Sequence, residues 1–150
     1  MTLTFREARR EEVASVVALL ADDMLGATRE GTEMAPYLAA FDAMTAEGNN
    51  RLIVGVTPGG EVAATYQITF ISGLSLSAAR RAQVEGVRIA STHRGQGLGR
   101  RMFEDAEARA REAGCRLIQL TMNAQRTESR HFYESIGFTP SHTGFKRYLD

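Results

Sequence analysis

The residues of this chain best suited to chemistry are Arg94-Gly95-Gln96-Gly97-Leu98-Gly99-Arg100. They follow an apolar run, Val84 to Ala90, and lead into a helical pattern. A glycine-rich turn between a strand and a helix N-terminus is a seat for phosphate. Glycine lets the backbone come close to a ligand, and the first N–H groups of a helix have no partner inside it. The helix dipole places partial positive charge at the same point, and Arg94, Arg100 and Arg101 add full charges around it. A Walker loop is excluded, because neither Lys nor Ser/Thr follows Gly99. A dinucleotide fingerprint fits poorly: Arg100 stands where the third glycine belongs, and the loop lies past the middle of the chain. The pattern that is met is Arg-x-x-Gly-x-Gly, from Arg94, Gly97 and Gly99.

Further on stands Ser129-Arg130-His131-Phe132-Tyr133-Glu134-Ser135-Ile136-Gly137-Phe138. The interval between the two motifs holds one helix and one strand. Together, from about Val84 to Phe138, they resemble the GNAT superfamily of N-acetyltransferases. The resemblance implies an acetyl-CoA co-substrate. The loop Arg94, Gly95, Gln96, Gly97, Leu98, Gly99 and Arg100 would hold its pyrophosphate, largely through backbone N–H groups, with Arg94 facing its charge. Val87 and Ile89 would offer backbone groups to the pantetheine arm as an added strand does, Val87 N–H lying near the thioester oxygen.

Acyl transfer to an amine needs a neutral nucleophile, a stabilised oxyanion and a proton for the leaving thiolate. Glu85, set among Val84, Val87 and Ile89, is the candidate base, with desolvation expected to raise its pKa. Its structural alternative is an ion pair with Arg81 or Arg88. Tyr133 is the candidate acid, since a phenol can protonate a departing thiolate; otherwise it is a core aromatic. In one respect the chain departs from the family. Arg126 occupies a position where many members carry asparagine, and Asn123 is three residues out of register. Both stay open as cofactor contacts, and Ser129 supplies the small residue expected to pack against the cofactor.

These groups must be positioned by a fold, and the periodicity supplies one. Leu3 to Ala8 reads as a strand and Arg10 to Asp22 as a helix with Val13, Val16, Val17 and Leu20 on one face. Thr32 caps a second helix whose Met34, Tyr37, Leu38, Phe41 and Met44 form a core stripe. Leu52–Thr57 and Val62–Phe70 form a hairpin about Pro58-Gly59-Gly60. Ser72 to Ser75 is a loop and Arg81–Ala90 the strand into the glycine loop. Leu98, Met102, Phe103, Ala106 and Ala110 line the next helix. Leu117–Met122 is a strand, Thr127–Ile136 a helix, and Phe138 and Phe145–Leu149 closing strands. The reading is one α/β domain over residues 1–150, with a mixed, mostly antiparallel central sheet flanked by helices.

Composition sets bounds on the function. The 18 basic residues balance 18 acidic ones, which favours neither nucleic acid nor an anionic membrane as a partner. One cysteine, Cys115, excludes an internal disulfide and suits a reducing, cytoplasmic setting. His93, His131 and His142 lack metal-ligand spacing, so no metal is expected. The acceptor, a small-molecule or peptide amine, is expected between the first two helices and the 72–79 loop, near Asp22 and Asp23. Its identity is not written in the sequence. A homodimer, common among similar proteins, is compatible with the pattern. The rival reading is a non-catalytic acyl-CoA sensor on the same fold; the joint presence of Glu85 and Tyr133 favours catalysis.

Overall fold

The computed structural model describes residues 2–22 and 33–149. Its sheet runs in chain order: β1 (Thr4–Glu7), β2 (Asn50–Val56), β3 (Val62–Ile71), β4 (Arg81–Ile89) and β5 (Leu117–Leu120). The first four strands are antiparallel neighbours, and β5 joins β4 in parallel. The helices are α1 (Val13–Ala21), α2 (Ala35–Glu47), α3 (Leu98–Glu112) and α4 (Thr127–Ser135). None of the described helices is long and apolar enough to cross a membrane.

Successive strand residues point to opposite faces. Thus Ile53 packs with Leu98, Met102, Phe103, Ala106 and Ala110 of α3, while its neighbour Val54 packs with Val16 of α1. The helices α1 and α3 therefore cover opposite faces of the sheet. The stripe read from α3 is buried at all five positions. Its transfer from water is the main force holding α3 to the sheet.

Polar contacts fix the position of α3. The buried Tyr66 Oη donates to Asp105 Oδ2 at 2.6 Å. Arg109 donates to the same oxygen at 2.8 Å and to the Phe5 carbonyl at 3.2 Å. One carboxylate thereby links β3, α3 and β1. Burial, then the bond to Asp105, pushes the Tyr66 phenol above its ordinary range.

The chain enters α1 through a 3-10 turn, Arg10–Glu12. The Glu12 carboxylate accepts from the Arg9 N–H at 2.8 Å and from both Arg6 terminal nitrogens, at 2.8 and 2.7 Å. The Arg6 bonds hold its pKa down at about 2.

Three expectations are corrected. The residues Phe138 and Phe145–Leu149 form no closing strands: among the described residues the sheet ends at β5. Phe145, Tyr148 and Leu149 are 92, 82 and 91% exposed. Alternation marks a segment that can pair, but a strand needs a partner edge, and this one meets none among the described residues. The stripe of α2 faces inward as read, yet none of its residues is fully buried, because the helix lies over the rim at β2. Thr32, its expected cap, falls outside the described residues, and α2 begins at Ala35 with Met34 as N-cap. Within the loop after β3, Leu76, Ser77 and Ala78 form a left-handed turn, with φ of 55, 59 and 60°.

Two outcomes test these contacts. Asp105→Ala should destabilise the fold by about 2–3 kcal/mol and Tyr66→Phe by about 1 kcal/mol, since only the former leaves a buried hydroxyl unpaired; urea denaturation compares them. Because the Glu12 pKa is lowered on folding, its contribution is present above pH 4.5 and lost as pH falls towards 2. Glu12→Gln should cost about 1 kcal/mol near neutrality, and its melting temperature should converge with wild type in acid.

Candidate cofactor and acyl-transfer site

The site begins where β4 and β5 part. They pair only from Arg81 with Leu117 to Val84 with Leu120. Beyond Val84, no strand among the described residues runs beside β4 on that side. On its other side β4 continues against β3, with a bulge: Gln67 faces Glu85, but Thr65 faces Arg88. Two residues, Gly86 and Val87, thus oppose Tyr66 alone, and Gly86 takes a φ of 61°. A bulge bends and twists its strand, which turns the second half of β4 away from β5.

Past the bulge, Ala90 N–H donates to the Ala63 carbonyl at 2.8 Å. By the alternation of an antiparallel ladder, Val87 and Ile89 direct their backbone groups away from β3, into the cleft. The Val87 carbonyl accepts from Arg88 Nη1 at 2.8 Å and the Ile89 carbonyl from Arg94 Nε at 3.2 Å. An extended amide-bearing arm is the kind of ligand that such an edge receives.

The phosphate loop comes next. A 3-10 turn, Ser91–His93, leads to Arg94 and Gly95, and Gly97 caps α3 in the left-handed region with φ of 74°. The first intrahelical bond runs from Arg101 N–H to the Gly97 carbonyl at 3.4 Å, which leaves the N–H groups of Leu98, Gly99 and Arg100 without helical partners. Arg94, Gln96 and Arg100 are exposed beside them. A side chain at Gly97 would need that strained conformation and would enter open space, with no protein atom within 4 Å. Gly99 serves a different need: a Cβ there would lie 2.9 Å from Phe132 of α4. Unpaired donors, nearby cations and room above the backbone fit a pyrophosphate.

Tyr133 belongs to the aromatic cluster whose Phe132 lies against Gly99 at the start of α3. Its ring meets Phe103 edge-on at 5.6 Å, Phe138 at 6.0 Å and Phe132 at 5.5 Å. Burial raises its pKa, and the charges of Arg88 and Arg126 oppose that rise. The phenol is therefore protonated at neutral pH.

The other candidates are placed as follows. Glu85 is exposed rather than enclosed by Val84, Val87 and Ile89: Val84 faces α3 by the ordinary alternation of the strand, and the bulge after Glu85 sends Val87 and Ile89 to that same face. The premise of a desolvated carboxylate does not hold in this structure. Asn123 is exposed and uses its Oδ1 to accept from Gln125 N–H at 2.9 Å. Arg126 is the N-cap of α4, half-buried, with its charge felt at Tyr133. Ser129 is half-buried in the first turn of α4. Asp22 is engaged with the loop, its Oδ2 accepting from Ser91 N–H at 3.3 Å. Asp23, Met24 and Leu25 of the expected acceptor rim lie outside the described residues. No group of three or more metal-ligating side chains gathers among the described residues.

The sequence reading missed two contributions, Arg88 beside Tyr133 and Asp22 on the loop. Neither carries a local signal: each contact joins elements far apart in the chain.

Residues 14–138 match the profile of the Acetyltransferase (GNAT) family, and the chain belongs to that family. Similar solved structures extend the likeness over nearly the whole chain. The crystal structure of a transcriptional regulator from Bacillus halodurans C-125 is 41% identical, with a TM-score of 0.93 over 98% of this chain and 99% of that one. Glucosamine-6-phosphate N-acetyltransferase from Arabidopsis thaliana shares the fold, at 19% identity and a TM-score of 0.82, over all of both chains. Aminoalkylphosphonate N-acetyltransferase of Salmonella typhimurium is 31% identical over 67 residues, 45% of this chain. The matched stretch spans 44% of that relative's length.

The two glycines should separate by substitution. Gly99→Ala should lower stability by about 1–3 kcal/mol, because Phe132 must move. Gly97→Glu should leave most of the stability and abolish binding of acetyl-CoA by placing bulk and negative charge at the phosphate seat. Thermal melts and calorimetric titration distinguish the two.

Proposed function

We propose that this protein is an N-acetyltransferase that moves the acetyl group of acetyl-CoA directly to a primary amine within a ternary complex. The observation that carries the reading is the parting of β4 from β5 beside a glycine-capped helix N-terminus, with a protonated tyrosine in the aromatic cluster packed on that helix. When bound, acetyl-CoA supplies an activated acyl thioester. Leu98, Gly99 and Arg100 donate N–H groups to the pyrophosphate, and Arg94 and Arg100 balance its charge. Val87 and Ile89 align the pantetheine arm, with Val87 N–H donating to the thioester oxygen as it gains charge.

In the transfer, the amine nitrogen forms a bond to the acyl carbon and the carbon–sulfur bond breaks. Tyr133 Oη gives its proton to the departing sulfur. Glu85 takes the proton shed by the amine nitrogen, and its exposure suits relay through water rather than direct contact. Arg88 and Arg126 stabilise negative charge around the phenol. Asn123, engaged in its own turn, is the weaker cofactor contact of the open pair, and Arg126 the stronger.

The acceptor class is a small amine. The Salmonella relative makes aminoalkylphosphonates the first compounds to try, followed by amino sugars, amino acids and polyamines. The exposed Phe145, Tyr148 and Leu149 support pairing of two copies, which light scattering would read as twice the mass of 16.4 kDa. A second reading, an acyl-CoA sensor, draws on the transcriptional regulator that resembles this chain at 41% identity.

Calorimetric titration with acetyl-CoA, followed by thiol release against the amine panel, decides between them. Binding with turnover is expected, and binding without turnover of any amine favours the sensor. Tyr133→Phe should lower kcat at least tenfold with little change in acetyl-CoA affinity. Glu85→Gln should remove the ionisation that it contributes to the pH–rate profile. An unaltered profile would assign proton acceptance to water or another group.

A further inference from the structure

The loop from Ser91 to Gly97 is largely exposed and glycine-rich, yet it must present its donors in a fixed array. Locally, His93 N–H bonds to the Ala90 carbonyl, and Arg94 Nε to Ile89 at the end of β4. Apart from its bonds to β4 and α3, the two elements that flank it, the hydrogen bonds that tie this loop to the rest of the fold among the described residues both end on one residue, Asp22. It follows α1, 69 residues before Ser91 and 72 before Arg94. Asp22 Oδ2 accepts from the Ser91 N–H at 3.3 Å, and the Asp22 carbonyl accepts from Arg94 Nη2, also at 3.3 Å.

The logic of both bonds is that of capping. Ser91 opens a 3-10 turn, so its N–H has no partner within that turn, and its local N-cap, Ala90, has no side chain to offer. The carboxylate of Asp22 replaces the missing cap from across the fold. In return, the guanidinium of Arg94 meets the Asp22 carbonyl just past the C-terminus of α1, where a cation is favoured. The packing of α1 supports the arrangement. Val13, Val16, Val17 and Leu19 are buried, and Leu20 Cδ2 lies 3.6 Å from the Cβ position of Gly86 at the bulge. The end of α1 is thus held against the sheet, and Asp22 extends that rigidity to the loop.

We infer that Asp22 is a positioning residue of the cofactor loop: its carboxylate holds the Ser91 N–H and its carbonyl holds Arg94, so that the loop is set for pyrophosphate before the cofactor arrives. The inference rests on the reading of the Arg94–Arg100 loop as a pyrophosphate seat. A loop ordered in advance loses less entropy on binding, so the contribution of Asp22 appears in affinity and not in the chemical step. A carboxylate near a phosphate site would by charge alone weaken binding. That gives the inference a sign that separates it from simple electrostatics.

The test compares wild type with Asp22→Ala, Asp22→Asn, Ser91→Pro and the double variant Asp22→Ala/Ser91→Pro. Asparagine keeps an oxygen for the Ser91 N–H and removes the charge. Proline removes the donor alone, and it suits the first position of the turn after Ala90, whose ψ is 139°. Asp22→Ala and Ser91→Pro should each weaken acetyl-CoA binding by about 3- to 10-fold, the loss expected for one hydrogen bond. Asp22→Asn should bind as wild type does or slightly tighter. The double variant should be no weaker than either single one. With an amine that is turned over, KM for acetyl-CoA should rise while kcat at saturation stays constant. Wild-type affinity in Asp22→Ala, equal weakening in Asp22→Asn, or additive losses in the double variant would each overturn the inference. Hydrogen exchange of the Ser91 amide in the free protein reads the tether without cofactor. Exchange should be faster in Asp22→Ala and unchanged in Asp22→Asn. Unchanged exchange in Asp22→Ala would overturn the tether itself, whereas wild type that keeps the tether but does not bind acetyl-CoA would instead refute the pyrophosphate reading.

Discussion

The structure depends on a backbone fault in β4. Were β4 regular, its residues would pair with β3 on one side and could pair with β5 along its full length on the other. The extra residue at Gly86–Val87 breaks that symmetry. Before the bulge, β4 is an interior strand whose Ala82 and Val84 are buried. After it, the strand keeps β3 but loses β5, and a row of backbone groups faces a cleft instead of a neighbour. Such groups are costly to leave unmet, and here the guanidinium groups of Arg88 and Arg94 meet two of the carbonyls. The sheet thereby acquires a hydrogen-bonding edge in its middle, where a ligand can be held between helices.

That edge leads into the loop, and aromatic packing joins the loop to Tyr133. Phe103 of α3 touches Phe132 and Tyr133 of α4 as well as Phe138. Phe132 in turn lies against Gly99 at the start of α3. The first turn of α3 and the phenol are therefore parts of one packed cluster. Close packing allows little independent movement, so the position of Tyr133 relative to the start of α3 is set by the aromatic side chains between them.

Much of this was legible in the sequence, because it is periodic or local. The α3 stripe, the hairpin turn and the Gly48 stop after α2 depend on residues a few positions apart, and they stand as read. The glycine loop was legible because glycine at positive φ is a requirement of backbone geometry. What escaped depends on partners. The alternation from Phe145 to Leu149 has the form of a strand, but no edge among the described residues receives it. Apolar spacing in α2 indicated which side faces inward, yet depth of burial depends on what lies above, which spacing does not encode. Glu85 looked enclosed because its neighbours in sequence are apolar; strand alternation and the bulge send those neighbours to the other face and leave it in solvent. In the sequence Asp22 reads only as a neighbour of the acceptor site, because its bond to Ser91 spans 69 residues and leaves no local signal.

The environment of Tyr133 contains two opposed requirements. An acid that serves a leaving thiolate must keep its proton until the sulfur departs, then give it up without a large barrier. Burial among Phe103, Phe132 and Phe138 meets the first requirement, since a phenolate there would be poorly solvated. The charges of Arg88 and Arg126 meet the second by making that same phenolate less unfavourable. The arginines come from β4 and from the start of α4, the two elements that border the cleft. The parting of β4 from β5 thus does more than expose a strand edge. It brings a cation from the bulged strand to the phenol, so one local irregularity shapes both that edge and the surroundings of the group proposed as the acid.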